Sequence, residues 1–495
     1  MDTLPTQHKA IQRTVLCAGL LVTLTGCTVG PNYIPPVQAV PGAWTGDQGL
    51  VSARTVGSAA TPSAAEIDRW WTALNDPLLT SLIERADAAN LTLAQAGARL
   101  RQARAARAIA ASAQSPQVSF ATSASRSESS GNTRSLFRAG FDASWEVDLF
   151  GGVRRSVEAA DADLLAAGYD REDARVSLSA EVATTYLEVR SAQRQMAIAR
   201  QNLDVQQQTL ALTQLRNKAG FVSGLDVASA RGSVAQTEAQ IPASDAQART
   251  SIYALSVLLG LEPGALLEEL GAEGGIPPVP AQVPVGLPSD LLLRRPDLRR
   301  ADAQLHAATA RVGVAMSDQY PRLSLTGSLG TQGDKVPSLG TLADRFWSVG
   351  PSLSVPLWTG GRTRAAIEQS QAGVEQAVLA YRQAVLGALQ DVETSLANYT
   401  REQQRAAALE ESVAANREAL DLSTRLYRAG KTDFLSVLSA QRQLYATEAQ
   451  LSQSRTSVAT DLVALFKALG GGWKSDGSAA TTAEHPPVST QPGPQ

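Results

Sequence analysis

The chain contains its own outline twice. "LRNKAGFVSGLDVASA" (215–230) is echoed by "RLYRAGKTDFLSVLSAQ" (425–441), and "LLG" (258–260) by "ALG" (468–470), each about 210 residues later. Upstream, "LTLAQAGARLRQARAARAIAASAQSPQVSF" (91–120) matches "PDLRRADAQLHAATARVGVAMSDQYPRLSL" (296–325), with Pro116 aligned to Pro321. Duplication on this scale means two copies of one structural unit in a single chain. A length of 495 residues therefore does not imply a string of unrelated globular domains.

Each unit reads as helix, strand, strand, long helix, shorter helix. From Leu91 to Ser115 there is no proline, alanine and arginine abound, and leucines recur at helical spacing. After Pro116 the period changes to two. Phe137, Ala139, Phe141, Ala143, Trp145, Val147 and Leu149 alternate with Arg138, Gly140, Asp142, Ser144, Glu146 and Asp148. Leu323, Leu325 and Leu329 alternate with Ser324, Thr326 and Ser328. Trp347, Val349, Leu353, Val355 and Leu357 do the same against Ser348, Gly350, Ser352 and Ser354. Pro351 and Pro356 weaken that last strand, because proline removes a ladder donor.

Strands of about ten residues, apolar on one face and polar on the other, have the length of an outer-membrane barrel wall. The alternation suits a soluble sandwich too, but the strands come as two lone hairpins far apart in the chain. Four strands cannot close a barrel, since the smallest have about eight. Their open edges are expected to pair with other copies of the chain, and two copies or three both satisfy that arithmetic.

The helices carry a repeat of seven. Val182, Val189, Met196, Leu203 and Leu210 form one row; Val392, Tyr399, Ala406, Val413, Leu420 and Tyr427 form its counterpart. Such a row predicts left-handed coiled-coil packing. A helix from Gly152 to Ala219 would run about 100 Å, and one from Leu225 to Leu259 about 50 Å. Each unit is thus expected to reach away from the strands as a long column and return.

The N-terminus supplies an address. Lys9 and Arg13 precede an apolar run, Val15 to Leu24, that is too short to span a bilayer and suits a cleaved secretory signal. Leu24-Thr25-Gly26-Cys27 resembles the bacterial lipobox, whose cysteine receives a diacylglycerol and becomes the mature N-terminus. The only other cysteine, Cys17, lies inside the signal, so no disulfide is expected in the mature chain. Thr28 follows the lipobox where an aspartate would suggest inner-membrane retention, which points to the outer membrane. A formal net charge of −3 with 18% charged residues argues against nucleic-acid binding. Catalysis finds no support either: His306 and His485 are the histidines left after cleavage, and no phosphate loop or metal-ligand spacing is present. The expected protein is not an enzyme and needs no cofactor beyond its covalent lipid.

These features together resemble the outer-membrane factors, the TolC/OprM-like exit ducts, and most closely their NodT-type lipoproteins. The resemblance spans Cys27 to about Gly472 and includes "CTVGPNYIPP", "PLLTSLIERADAANLTLAQAGARLRQARA", "LLLRRPDLRRADAQL", both "AG" tips and "VLSAQRQLY". It implies a mainly α fold with a small β part: a homotrimer with a 12-stranded outer-membrane β-barrel continuous with a 12-helix periplasmic α-barrel. The implied organisation is a signal peptide (1–26), a lipidated N-terminus and equatorial segment (27–90), a first repeat (91–260, hairpin 117–149), an equatorial linker (261–295), a second repeat (296–470, hairpin 322–357) and a C-terminal tail (471–495). Residues around 28–75, 261–295 and 470–495 would form a belt, and the proline- and glycine-rich "GGIPPVPAQVPVGLP" suits an irregular role there.

The implied function is that of an outer-membrane channel in a tripartite efflux system, passively conducting drugs and small molecules from an inner-membrane RND-type pump and a periplasmic adaptor. The same fold also serves as a duct for type I protein secretion, which is the nearest rival. By resemblance, Gly220, Val222, Ser223, Gly430, Lys431 and Thr432 make the tips that meet the adaptor. Asp226 and Tyr427 occupy the places where relatives link an acid to a tyrosine and hold the tunnel closed. Ser436 and Ser439 stand where relatives often carry acids at the narrowest point, and Asp433, one turn earlier, is a candidate substitute. Independently of any relative, Asp226 also reads as an acid favoured at a helix N-terminus, and Gly220 and Gly430 as helix-ending glycines. Cys27→Ser is expected to abolish incorporation of a fatty-acid probe; persistent labelling of that variant would contradict the lipoprotein reading.

Overall fold

The backbone settles into helices wherever the sequence holds a seven- or 3.6-residue period, and into one sheet where the period is two. The computed structural model describes residues 28–36, 39–42, 44, 67–280, 294–336 and 344–474. The signal peptide, Cys27 and residues 475–495 lie outside them. A 3-10 turn, Trp70–Leu74, precedes α1 (Pro77–Ala89) and α2 (Leu91–Ser112). Strands β1 (Gln117–Ser129) and β2 (Asn132–Val147) lead into α3 (Gly152–Lys218) and α4 (Gly224–Leu258). A one-turn helix, α5 (Leu267–Leu270), is followed by α6 (Pro296–Ser317), β3 (Arg322–Gly333), β4 (Arg345–Ser354), α7 (Arg362–Arg428) and α8 (Phe434–Ala468). The duplication is visible in the lengths. Helices α2 and α6 each have 22 residues, α3 and α7 each 67, and α4 and α8 each 35.

The chain divides into two compact units, and neither is a sequence repeat. The first is Met1–Ala39, Ala96–Arg171 and Asp297–Val385; the second is Val40–Gln95, Glu172–Pro296 and Leu386–Gln495. Each draws on both repeats.

In the first unit the strands form one antiparallel sheet in the order β1-β2-β3-β4. The two hairpins are therefore not alone, contrary to the expectation from their separation in sequence. Strand β2 pairs with β3 from Phe137 opposite Gly333 to Val147 opposite Leu323, so among the described strands β1 and β4 keep an open edge. Ser130 and Gly131, both at positive φ, make the two-residue turn between β1 and β2, which suits a type I′ hairpin. Pro351 is accommodated in β4, at the sheet's edge, where a missing N–H is tolerated; Pro356 falls beyond it.

Register sorts the side chains by face. Phe120, Phe141, Leu329 and Trp347 lie side by side across all four strands, flanked by Val118, Leu325, Val349 and Leu353. This apolar face is open: Trp347 is 76% exposed and Val349 70%. No helix among the described residues is long and apolar enough to cross a membrane. Burying an apolar band of this kind in lipid is what barrel strands do.

The N-terminal arm is tied into the same unit. The buried Arg155 donates to the carbonyls of Val29 and Gly30 and to the Asn32 side chain, at 3.2, 3.3 and 2.7 Å. Tyr33 stacks on His306 with ring centroids 4.4 Å apart, and its hydroxyl donates to Asp302. His306 thus has a structural partner set, which includes Glu158 at 3.0 Å.

The second unit holds the main apolar core. Trp70, Leu74, Leu79 and Leu82 pack with Val182, Tyr186 and Leu187 of α3, Leu255 of α4, and Leu462 and Phe466 of α8. Helix α1 lies within 27–90, where the sequence reading placed no helix. Asp76 caps it, accepting from the Leu78 and Leu79 N–H groups at 2.9 and 3.1 Å, with Pro77 at the first helical position. The same carboxylate accepts from the Tyr186 hydroxyl at 2.6 Å, and burial, aided by that bond, pushes the tyrosine pKa up to about 12. Rows of seven turn inward as the spacing predicts: Val182, Val189, Val392, Tyr399 and Tyr427 are buried.

The β2–β3 seam depends on two glycines. Gly140 and Gly330 face each other in register, and a Cβ on Gly330 would collide with the Ala139 carbonyl oxygen and the Phe346 ring. At Gly327 the nearest atoms stand 3.7 Å from such a Cβ. Gly330→Val is expected to expose Phe137–Val147 to rapid amide hydrogen exchange in detergent, whereas Gly327→Ala leaves protection unchanged. Equal protection in both variants would contradict the tight seam.

Candidate functional site

The two helix-to-helix turns in the second unit gather most residues singled out in the sequence. In the first, α3 ends at Lys218 and Gly220 turns the chain at φ +80°. The Phe221 N–H then returns to the Arg216 carbonyl at 2.9 Å, satisfying a helix-end acceptor. In the second, α7 ends at Arg428, Gly430 has φ +69°, and the Lys431 N–H donates to the Leu426 carbonyl at 2.9 Å. Gly220, Ser223, Gly430 and Lys431 are exposed, and Val222 and Thr432 half-buried.

Both returning helices begin with the same chemistry in opposite order. Ser223 caps α4, and its backbone N–H and hydroxyl each donate to the Asp226 carboxylate at 2.9 Å, closing a capping box. Asp433 caps α8, accepting from the Ser436 N–H at 2.9 Å and the Ser436 hydroxyl at 2.6 Å. Those two bonds hold the Asp433 carboxyl below its ordinary pKa. The offset of the repeats places Ser223 on Asp433 and Asp226 on Ser436. Ser-x-x-Asp in one copy is Asp-x-x-Ser in the other. Ser436 therefore donates to a cap, while Ser439 remains exposed one turn further on.

The link expected between Asp226 and Tyr427 is not formed within the chain. The Asp226 carboxylate is engaged in its own cap, and the buried Tyr427 hydroxyl has no hydrogen-bond partner. Tyr427 is held by a residue that sequence reasoning missed. The Arg216 guanidinium lies over its ring, 4.4 Å from the centroid, and donates to its backbone carbonyl at 2.6 Å. The ring also packs with Ala230 of α4 and with Phe434, Val437 and Leu438 of α8. A charged donor to a carbonyl contributes about 1.5–3 kcal/mol, and a cation–π contact from a half-buried arginine about 1 more. Gln441 adds a further tie, donating to the Thr209 hydroxyl of α3 at 2.8 Å. One signal was available. Arg216 and Asn217 in the first repeat stand where Leu426 and Tyr427 stand in the second, so the tips differ where their flanks agree.

A sheet with an apolar outer face, two open edges, and paired helical turns at the ends of 67-residue helices is the pattern of an outer-membrane duct. The model of the outer membrane efflux protein family matches residues 82–261 and 287–471. The chain belongs to that family. Among similar proteins, Nodulation protein T of Rhizobium leguminosarum bv. trifolii is 33% identical over 457 residues, covering 91% of this chain and 95% of that protein. The pyoverdine export outer membrane protein OpmQ of Pseudomonas aeruginosa is 34% identical over 475 residues, covering 93% and 97%. The solved outer-membrane channel OprN matches with a TM-score of 0.84 at 34% identity, over 90% of this chain and 100% of that one. The fold is thus that of the trimeric outer-membrane efflux channels, and this chain is an outer-membrane channel protein of the efflux type.

Proposed function

We propose that three copies of this chain form the exit duct of a tripartite efflux system, lipid-anchored through Cys27 and closed at rest by the helical turns at its periplasmic end. An inner-membrane pump supplies the energy, and a periplasmic adaptor meets the tips formed by Gly220, Val222, Ser223, Gly430, Lys431 and Thr432. The observation that carries this reading is the four-stranded sheet itself, with its exposed apolar face and two unpaired edges. Relatives named for pyoverdine export and toluene efflux favour small molecules as cargo over secreted proteins.

Closure rests on keeping the second tip packed against the first. Arg216 supports this: its cation joins the end of α3 to the end of α7, and the Tyr427 ring fills the space between them and α8. Asp226 and Asp433 act locally by fixing the first turns of α4 and α8, while Ser439 presents an uncharged hydroxyl beside them. A bias of a few kcal/mol repeated in three copies is enough to keep the open state rare.

Arg216→Ala is therefore expected to raise single-channel conductance in planar bilayers and to admit vancomycin to cells. Tyr427→Phe, which removes only an unpartnered hydroxyl, leaves both nearly unchanged, as does Ser439→Ala. Opening by Tyr427→Phe with none from Arg216→Ala would show that the hydroxyl bonds a neighbouring copy and that Arg216 is not the latch. Absence of any discrete conductance would contradict the duct itself.

A further inference from the structure

The polar face of the sheet carries few charges, and two of them are placed together. Following the register from Arg138, this face holds Gly140, Asp142, Ser144 and Glu146 on β2. It continues with Ser324, Thr326, Ser328 and Gly330 on β3, and Phe346, Ser348, Gly350 and Ser352 on β4. Among the described strand residues of this face, the ionisable ones are Arg134, Arg138, Asp142, Glu146 and Arg322. Arg322 is paired with Asp318, next to the end of α6. Near the middle of the sheet, away from either end of β2, stand Arg138 and Asp142.

Those two lie flat. Arg138 reaches along its own strand, over Gly140, to the Asp142 carboxylate at 3.1 Å. Its guanidinium carbon also sits 4.4 Å from the centroid of the Phe346 ring, which in turn covers Gly330. The glycine pair that tightens the β2–β3 seam thus also leaves a floor with no side chains, on which the arginine and the phenylalanine rest. Both charged side chains remain partly open, at 39% and 47% exposure. A cation held on an aromatic face and beside a carboxylate stays charged but does not project.

With the apolar face toward lipid, this face lines the lumen, and the three-fold arrangement makes the pair a ring. We propose that the Arg138–Asp142 pairs form a charge-balancing ring that lets the barrel exit pass anionic and cationic solutes alike, with Phe346 and the Gly140–Gly330 floor as its positioning elements. The proposal rests on the trimeric barrel. Removing one partner leaves three like charges facing the lumen, where their field sets the local concentration of charged solutes. The two removals must act with opposite sign.

A thiol introduced by Ser328→Cys reads that field directly, because Ser328 lies opposite Asp142 in register and on the same face. The full-length chain in intact cells would be treated from outside with two membrane-impermeant methanethiosulfonates, one bearing a sulfonate and one a quaternary ammonium. Adding Asp142→Asn is expected to raise the ratio of anionic to cationic reaction rates about fivefold, and adding Arg138→Gln to lower it about fivefold, for a unit charge some 8 Å away in water. Arg138→Lys keeps the charge and leaves the ratio near that of the single variant, which separates charge from folding. Ratios that stay level, or move in the same direction in both charge-removing variants, would overturn the ring. A thiol that reacts with neither reagent would place this face outside the lumen and overturn the barrel arrangement on which the proposal stands.

Discussion

Backbone hydrogen bonding at two strand edges governs this molecule. In hydrocarbon an unpaired N–H or C=O costs several kcal/mol, so a sheet survives there only when closed. The chain pairs β1 through β4 internally and leaves the outer edges of β1 and β4 bare. Copies of the chain must supply the missing partners, edge to edge, and the exposed Phe120, Trp347 and Val349 then face lipid. Oligomerisation is in this sense part of folding.

The duplication makes that closure economical. One strand–strand–helix–helix unit, written twice, gives paired helices of 67 and 35 residues per copy and a sheet whose central seam joins the two repeats. Divergence between the repeats then supplies what symmetry alone lacks. At the helix turns the caps exchange serine and aspartate, and Arg216 faces Tyr427 instead of its own equivalent. Two similar tips become a cation and an aromatic ring that recognise each other.

Much of this was legible in the sequence, for definable reasons. The long helices show because a seven-residue row such as Val182, Val189 and Met196 is a local property of the chain. The alternation of Phe137, Phe141 and Trp145 with Arg138, Asp142 and Ser144 is equally local and fixes which face is apolar. The β2–β3 seam was not legible, because pairing Phe137 with Gly333 is a tertiary event between distant segments. Helix α1 was missed although Asp76 and Pro77 spell out its start, since a short amphipathic helix is easily lost in a proline- and serine-containing region. Within the chain Asp226 serves its own helix, a local role that the Ser223–Asp226 spacing spells out. An acid three residues after a serine caps its own helix first, and a distant tyrosine has to compete with that bond.

This sheet is stable only as part of a closed barrel of three chains. Native mass measurement of the detergent-solubilised, full-length protein tests this most directly. A single species of three times the mature chain is expected. A stable, well-folded monomer, with β1 and β4 edges left open, would contradict it.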